Sequence, residues 1–315
     1  MGSESPSVRV ERAIVGAREA RLDGHPDDAL RRLTGAAALL GSGRVKRELA
    51  VALCRERGLC HVALDEPDEA WQAFDDGLEL AGRDDALADP LLAAEATLEL
   101  MAGHAERAQA RLATGDGTRR ASLVAQARVH LLLGRTALAD TTLQACEQAS
   151  GGSSDLAPPS AVLRSLAALW DGRPEQARML HNGVGTANHP HWDLVRILVL
   201  RSQWVATGDA RYLVLALGAA EELRALTAHA TTPGLLAAAC GHHAVLLCLS
   251  GHLAMALEAA DEALGVMGTM SLPEWPHAAV LHDLALVFRD AGATERHQQV
   301  LEMAAGEDME SWIQR

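Results

Sequence analysis

Apolar residues recur every three or four positions along most of this 315-residue chain, and strand-type alternation is scarce. The clearest example is the stretch 58–80, GLCHVALDEPDEAWQAFDDGLEL. It predicts a helix, a polar turn, and a second helix whose buried face starts at Ala70 and continues at Phe74. Two helices this short cannot bury their apolar sides alone, so the hairpin requires neighbours of the same shape.

The same design recurs eight times along the chain. In most copies, a turn residue that is usually glycine is followed about five positions later by a small residue. The pairs are Gly24 with Ala29, Asp65 with Ala70, Gly103 with Ala108, Gly134 with Ala139, Gly172 with Ala177, Gly208 with Leu213, Gly251 with Ala256 and Gly292 with His297. Glycine ends the first helix because it accepts a positive φ, and alanine allows two helices to approach closely.

A second small position lies about seven residues before each turn, within the first helix. Its occupants are Ala17, Gly58, Ala96, Ala127, Ser165, Arg201, Ala244 and Ala285. Only Arg201 breaks the rule.

This pattern resembles the tetratricopeptide repeat (TPR) family, and Gly58, Ala70 and Phe74 form its best copy. The repeats are degenerate, since Arg201, Leu213 and His297 depart from the pattern, and they are longer than the family's roughly 34 residues. The resemblance implies an all-α fold, a right-handed α-solenoid of about eight TPR-like helical hairpins, and a protein- or peptide-binding scaffold that uses its concave groove. The repeats are also similar to the helical sensor arms of large bacterial transcriptional activators, which implies a bacterial regulatory adaptor.

The predicted organisation is a disordered N-terminus over 1–7, a single solenoid over 8–305, and a capping tail over 306–315. The stretch 150–159, SGGSSDLAPP, is the candidate hinge.

Composition narrows the expected partners. The net charge is −14, which disfavours nucleic acid because an acidic surface repels phosphates. We expect no membrane contact and a cytoplasmic location, because neither an 18-residue uncharged apolar run nor a signal-peptide pattern occurs. Five cysteines without CxxC spacing predict reduced core thiols.

We predict no catalytic residue, metal or cofactor, although the chain's status as an enzyme stays open. His189 and His191, with Asp193, could present metal ligands, but the start of a helix explains them equally simply. His282 and Asp283 are neighbours on a helix and do not face each other, so mutual activation is disfavoured.

The first helices of successive hairpins would line the groove. We expect five arginines to point towards it: Arg18, Arg21, Arg55, Arg128 and Arg289. Guanidinium groups suit carboxylates, so an acidic peptide or a C-terminal carboxylate is the expected ligand. The alternative is that these arginines pair with the chain's own acidic residues. Trp170 is either a groove anchor or part of the core.

The sequence is compatible with two other functions. A closed groove could form an apolar pocket for a small molecule or a reaction, with His242, His282 and Arg128 as its polar groups. Exposed solenoid ends could also stack into a homo-oligomer.

Overall fold

The computed structural model describes residues 5–40, 45–102, 104–115, 117, 119–149, 157–182, 190–228, 233–269 and 277–304. Over these residues the chain forms sixteen α-helices and no β-strand. The helices are α1 (Pro6–Leu22), α2 (Pro26–Ala37), α3 (Arg47–Ala63), α4 (Pro67–Ala81), α5 (Asp85–Met101), α6 (Ala105–Leu112), α7 (Arg120–Leu132), α8 (Thr136–Ala149), α9 (Ala157–Trp170), α10 (Pro174–Asn182), α11 (Pro190–Thr207), α12 (Ala210–Thr227), α13 (Pro233–Leu249), α14 (Leu253–Met267), α15 (His277–Asp290) and α16 (Thr294–Ala304). The all-α prediction is confirmed.

Consecutive helices pair into hairpins, as in α1 with α2, α3 with α4 and α13 with α14. First helices of successive hairpins also contact each other, as in α1 with α3, α3 with α5, and α11 with α13. The second helix of a hairpin then packs against the first helix of the next, as α12 does against α13. This is the contact pattern of stacked helical repeats.

The turns inside the hairpins fall where the sequence predicts them. Seven of the eight turn residues lie in the described ranges, and all seven have a positive φ: Gly24, Asp65, Gly134, Gly172, Gly208, Gly251 and Gly292. In most hairpins the N–H after the turn residue donates to the carbonyl five residues earlier, for example His25 to Ala20 at 2.8 Å and Arg135 to His130 at 2.7 Å. This bond satisfies a carbonyl at the end of the first helix.

The small positions bring the two helices of a hairpin together. Ala17, Ala29, Ala70 and Ala96 are fully buried. At Gly58 the approach is closest, because a Cβ there would lie 2.2 Å from Cε1 of Phe74. Glycine at position 58 therefore lets the Phe74 ring of α4 lie directly on the backbone of α3.

The helices gather into two compact units. The first runs to Gln126 within α7, and the second begins at Ala127. In the first unit, Val10, Leu33 and Leu53 belong to a core built by α1, α2 and α3. In the second, one core is built by α11 to α16.

The predicted disordered N-terminus overlaps α1, which begins at Pro6. The proposed hinge over 150–159 lies mostly outside the described residues, and its last three residues belong to α9. The capping tail over 306–315 also lies outside them. Among the described helices, none combines the length and the apolar character needed to span a bilayer.

The contact between Gly58 and Phe74 predicts the effect of adding one methyl group. Gly58→Ala should lower the free energy of unfolding by about 1–3 kcal/mol, because overpacking outweighs the gain of about 1 kcal/mol in helix propensity. Gly218→Ala is the matched control, since Gly218 lies in α12 with no neighbouring atom within 4 Å of an added Cβ. It should raise stability by up to about 1 kcal/mol in the same urea titration. If both variants shifted stability in the same direction, the close-approach explanation would be wrong.

Candidate functional site

Three of the predicted groove arginines come together in the first unit. Arg18 and Arg21 follow the small residue Ala17 on α1, and Arg55 precedes Gly58 on α3. Since α1 and α3 contact each other, these side chains share one region of the first-helix face. We call Arg18, Arg21 and Arg55 the arginine cluster.

The arginine cluster has more positive charge than its own carboxylate can balance. Arg21 Nε donates to Oε1 of Glu56 at 2.7 Å, and the Glu56 side chain is almost fully buried. Arg55 Nε is buried and has no acceptor among the described residues. Burial lowers the pKa of Arg55, Glu56 opposes this shift, and the charges of Arg18 and Arg21 add to it. A guanidinium stays protonated in proteins, so the cluster presents a buried N–H donor amid surplus positive charge.

A second group forms in the second unit, where α11, α13 and α15 meet. Asp283 Oδ2 accepts from Arg201 Nη1 at 2.6 Å and from His242 Nδ1 at 3.0 Å. His282 Nδ1 lies 3.8 Å from Asp283 Oδ1. We call Arg201, His242, His282 and Asp283 the histidine–aspartate cluster.

The neighbouring polar groups keep Asp283 ionised. Burial alone would raise its pKa, but Arg201, the hydrogen bond from His242 and the nearby His282 ring hold the pKa well below its usual range. His242 Nε2, on the other side of the ring, is buried without a hydrogen-bond partner among the described residues.

The other predicted site residues belong to neither of these two clusters. Arg289 is exposed and pairs with its neighbour Asp290 at 2.9 Å. Trp170 is half-buried at the end of α9 and packs against the core that includes Val162 and Trp192. Arg128 is half-buried on α7.

Of the residues raised as metal ligands, His189 lies outside the described residues. Within the described part, no group of three or more His, Cys, Asp or Glu side chains has the geometry to hold a metal ion.

Known proteins match this chain in structure and not in sequence. No protein-family pattern and no curated protein sequence matches it. A tetratricopeptide repeat protein from Parabacteroides merdae aligns with a TM-score of 0.50 at 13% identity, covering 89% of this chain and 99% of that one. The human IFIT1 dimer with PPP-AAAA aligns with a TM-score of 0.51 at 14% identity, covering 91% of this chain and 65% of that one. The human IFIT1 dimer with m7Gppp-AAAA has a TM-score of 0.50 at 12% identity, covering 96% and 68%.

The chain has a degenerate TPR-like fold. At such low identities the likeness establishes the fold alone.

Within these TPR-like repeats, the sequence interpretation left three functional candidates out of its site residues: Glu56, Arg201 and Asp283, the last of which it considered only as a neighbour of His282. Aligning the first helices on their small positions would have identified two of them. Glu56 and Asp283 each lie two residues before the small position of their first helix, as His242 does. Arg201 could have been recognised in another way, because it is the only large charged residue among the eight small positions of the first helices. Its guanidinium contacts Asp283, 82 positions further along the chain.

A third buried charge lies between the second and third TPR-like repeats. Glu95 on α5 is fully buried, and neither carboxylate oxygen has a hydrogen-bond partner among the described residues. Arg111 Nη1 lies 3.5 Å from Glu95 Oε2, and the guanidinium stands 5.5 Å above the ring of Trp71. Burial raises the pKa of Glu95 to about 7, although Arg111 opposes the shift. Glu95 therefore titrates near neutral pH.

The raised pKa of Glu95 should make the protein less stable as the pH rises. Its pKa is about 7 in the folded chain and ordinarily 4.5, so only the folded form keeps the proton between these values. The free energy of unfolding should therefore fall as the pH rises through this window. Glu95→Gln, which stays neutral, should be more stable than the wild type at pH 8 by about 3 kcal/mol and nearly equal to it at pH 4.5.

Urea titrations at both pH values measure this difference. Glu106→Gln is the control, because Glu106 is exposed on α6. Parallel pH curves for the wild type and Glu95→Gln would contradict the assignment.

Proposed function

We propose that this protein is a TPR-like scaffold that binds a protein or peptide partner through its first-helix face. The arginine cluster is the proposed anchor. The observation that carries the proposal is the buried Nε–H of Arg55, which has no acceptor among the described residues and lies beside Arg18 and Arg21.

The chemistry of the anchor favours a carboxylate. A buried N–H donor without an acceptor costs roughly 1–3 kcal/mol, and a ligand oxygen would remove this cost. Arg21 already binds Glu56, so Arg18 and Arg55 are the groups left for a ligand. Two guanidinium groups can hold both oxygens of one carboxylate, either a C-terminus or an acidic side chain.

The overall charge supports a protein partner over a nucleic acid. IFIT1 is described with PPP-AAAA, and phosphate oxygens would satisfy Arg55 as well as carboxylate oxygens do. However, the chain carries a net charge of −14, which repels an extended polyanion while a local arginine cluster still attracts a single carboxylate. An adaptor role in bacterial regulation is consistent with this choice. Arg128 and Arg289 stay predicted contributors to the first-helix face of the second unit.

A second candidate function is a small-molecule binder or an enzyme. It is supported by the convergence of His242 and His282 on Asp283, since an imidazole oriented by a carboxylate is suited to acid–base chemistry. Turnover of a substrate that requires His242 would favour this candidate over the scaffold.

A peptide-binding assay tests the scaffold proposal directly. A fluorescent library of random peptides with free C-terminal or side-chain carboxylates is compared with copies in which every carboxylate is an amide. Binders should lose at least tenfold in affinity when amidated, and a 5′-triphosphate oligoadenylate should not compete at physiological salt. Binding that ignores amidation, or strong competition by the RNA, would contradict the carboxylate anchor.

Replacing Arg55 should change stability and peptide binding in opposite directions. Arg55→Met removes a buried donor that lacks a partner, so it should raise the free energy of unfolding by roughly 1 kcal/mol. The same change should weaken peptide binding at least tenfold, because the donor for the carboxylate is lost. Arg9→Met is the matched control, as Arg9 is exposed on α1. Thermal unfolding and fluorescence polarisation measure the two effects, and a steep fall in Tm for Arg55→Met would make Arg55 structural instead.

A further inference from the structure

The exposed side of helix α12 differs from the same side of the other second helices. The residue seven positions after the turn is exposed in all eight hairpins. It is polar in five of them, and it is large and apolar only in α10 and α12. The eight residues are Arg31, Gln72, Ala110, Thr141, Met179, Leu215, Glu258 and Gln299. Leu215 is 52% exposed and its neighbour Val214 is 66% exposed, so α12 presents apolar side chains where most repeats present polar ones.

The same side of α12 carries a glycine that its own chain does not require. Gly218 is exposed, and no atom lies within 4 Å of a Cβ added there. The other hairpins have Thr34, Asp75, Ala113, Gln144, Asn182, Asp261 and Glu302 at this position, ten residues after the turn. A glycine inside a helix costs about 1 kcal/mol relative to alanine, so it is unfavourable for α12 alone. Gly218→Ala therefore stabilises a single chain in dilute solution, but it fills part of the space that a side chain from another molecule could occupy.

Opposite charges lie at the two ends of this exposed line of residues. The line consists of four residues separated by four, three and four positions, which is the spacing of one contact line along a helix: Arg211, Leu215, Gly218 and Glu222. Arg211 binds Asp209 at 2.6 Å, yet its side chain is 86% exposed. A guanidinium has five N–H groups, so Arg211 can bind a second carboxylate at the same time. Glu222 is also exposed. We call these four residues the α12 seam.

The α12 seam is complementary to its own reverse. When two α12 helices lie antiparallel, Arg211 lies opposite Glu222 of the second copy, and Leu215 lies opposite Gly218 of the second copy. Each contact then occurs twice. We propose that this protein forms a homodimer in which the α12 seams of two copies pack antiparallel about a two-fold axis. The charge pairs set the register, and the leucine fills the space above the glycine. The inference goes beyond the proposed scaffold function, because α12 is a second helix and lies outside the first-helix face.

Sedimentation equilibrium of the full chain tests the proposal at physiological salt, which screens the repulsion between two chains of charge −14. Between about 1 and 100 μM, the average mass should rise towards twice the monomer mass and no further. Leu215→Glu should stay monomeric. Leu138→Glu is the matched control, because Leu138 is 51% exposed on α8, and it should dimerise as the wild type does. A monomeric wild type, assembly beyond a dimer, or equal loss in both variants would overturn the proposal.

Two charge reversals test the antiparallel register. Arg211→Glu and Glu222→Arg each place like charges at both ends of the homodimer, so each variant alone should dimerise at least tenfold more weakly. In an equal mixture, the introduced glutamate faces the introduced arginine, and the two original residues face each other. The mixture should therefore recover the wild-type affinity. Both variants keep Asp209 as the N-cap of α12, and circular dichroism checks that they fold. A mixture that dimerises no more tightly than either variant would refute the proposed contact, and Leu215→Glu decides alone if a reversal prevents folding.

Discussion

Close approach of two helices at a small residue is the constraint on which the rest of this structure depends. The Phe74 ring occupies the space that a Cβ on Gly58 would need, and fully buried alanines play the same part in other hairpins. This contact fixes the rotation of each first helix about its own axis. Residues at a constant offset from the small position therefore face the same way in every repeat. Glu56, His242 and Asp283 share one such offset, and all three are buried polar groups on first helices.

Three buried carboxylates illustrate three ways of tolerating charge inside a helical repeat. Glu56 is paired with Arg21, and Asp283 is held by Arg201 and His242. Glu95 has one distant ion pair and no hydrogen bond among the described residues, so its pKa rises to about 7. Burial acts on the pKa of Asp283 and of Glu95 in the same direction, and the number of nearby donors decides which of these two stays ionised.

Most of the fold could be predicted from the sequence because its determinants are local. A turn residue with positive φ and a small residue five positions later, as at Gly24 and Ala29, define a hairpin within about forty residues. The candidate sites were only partly predictable. Helix counting placed Arg18, Arg21 and Arg55 on a shared face, but the partners Glu56 and Asp283 lie 35 and 82 positions from the arginines that bind them. Such pairs depend on how successive hairpins stack, which no local pattern encodes.

Arg201 shows what a departure from a repeat pattern can mean. A guanidinium at a small position places a charge among packed first helices, so it would be unfavourable without a compensating contact. Asp283 supplies that contact and is itself unfavourable without Arg201, since an unpaired buried carboxylate costs several kcal/mol. An apolar pair would fill the same space without this mutual dependence. What the apolar pair could not do is hold the His242 ring through a hydrogen bond at Nδ1. The departure from the repeat is thus coupled to an imidazole ring that a buried carboxylate orients, which ordinary apolar packing would not provide.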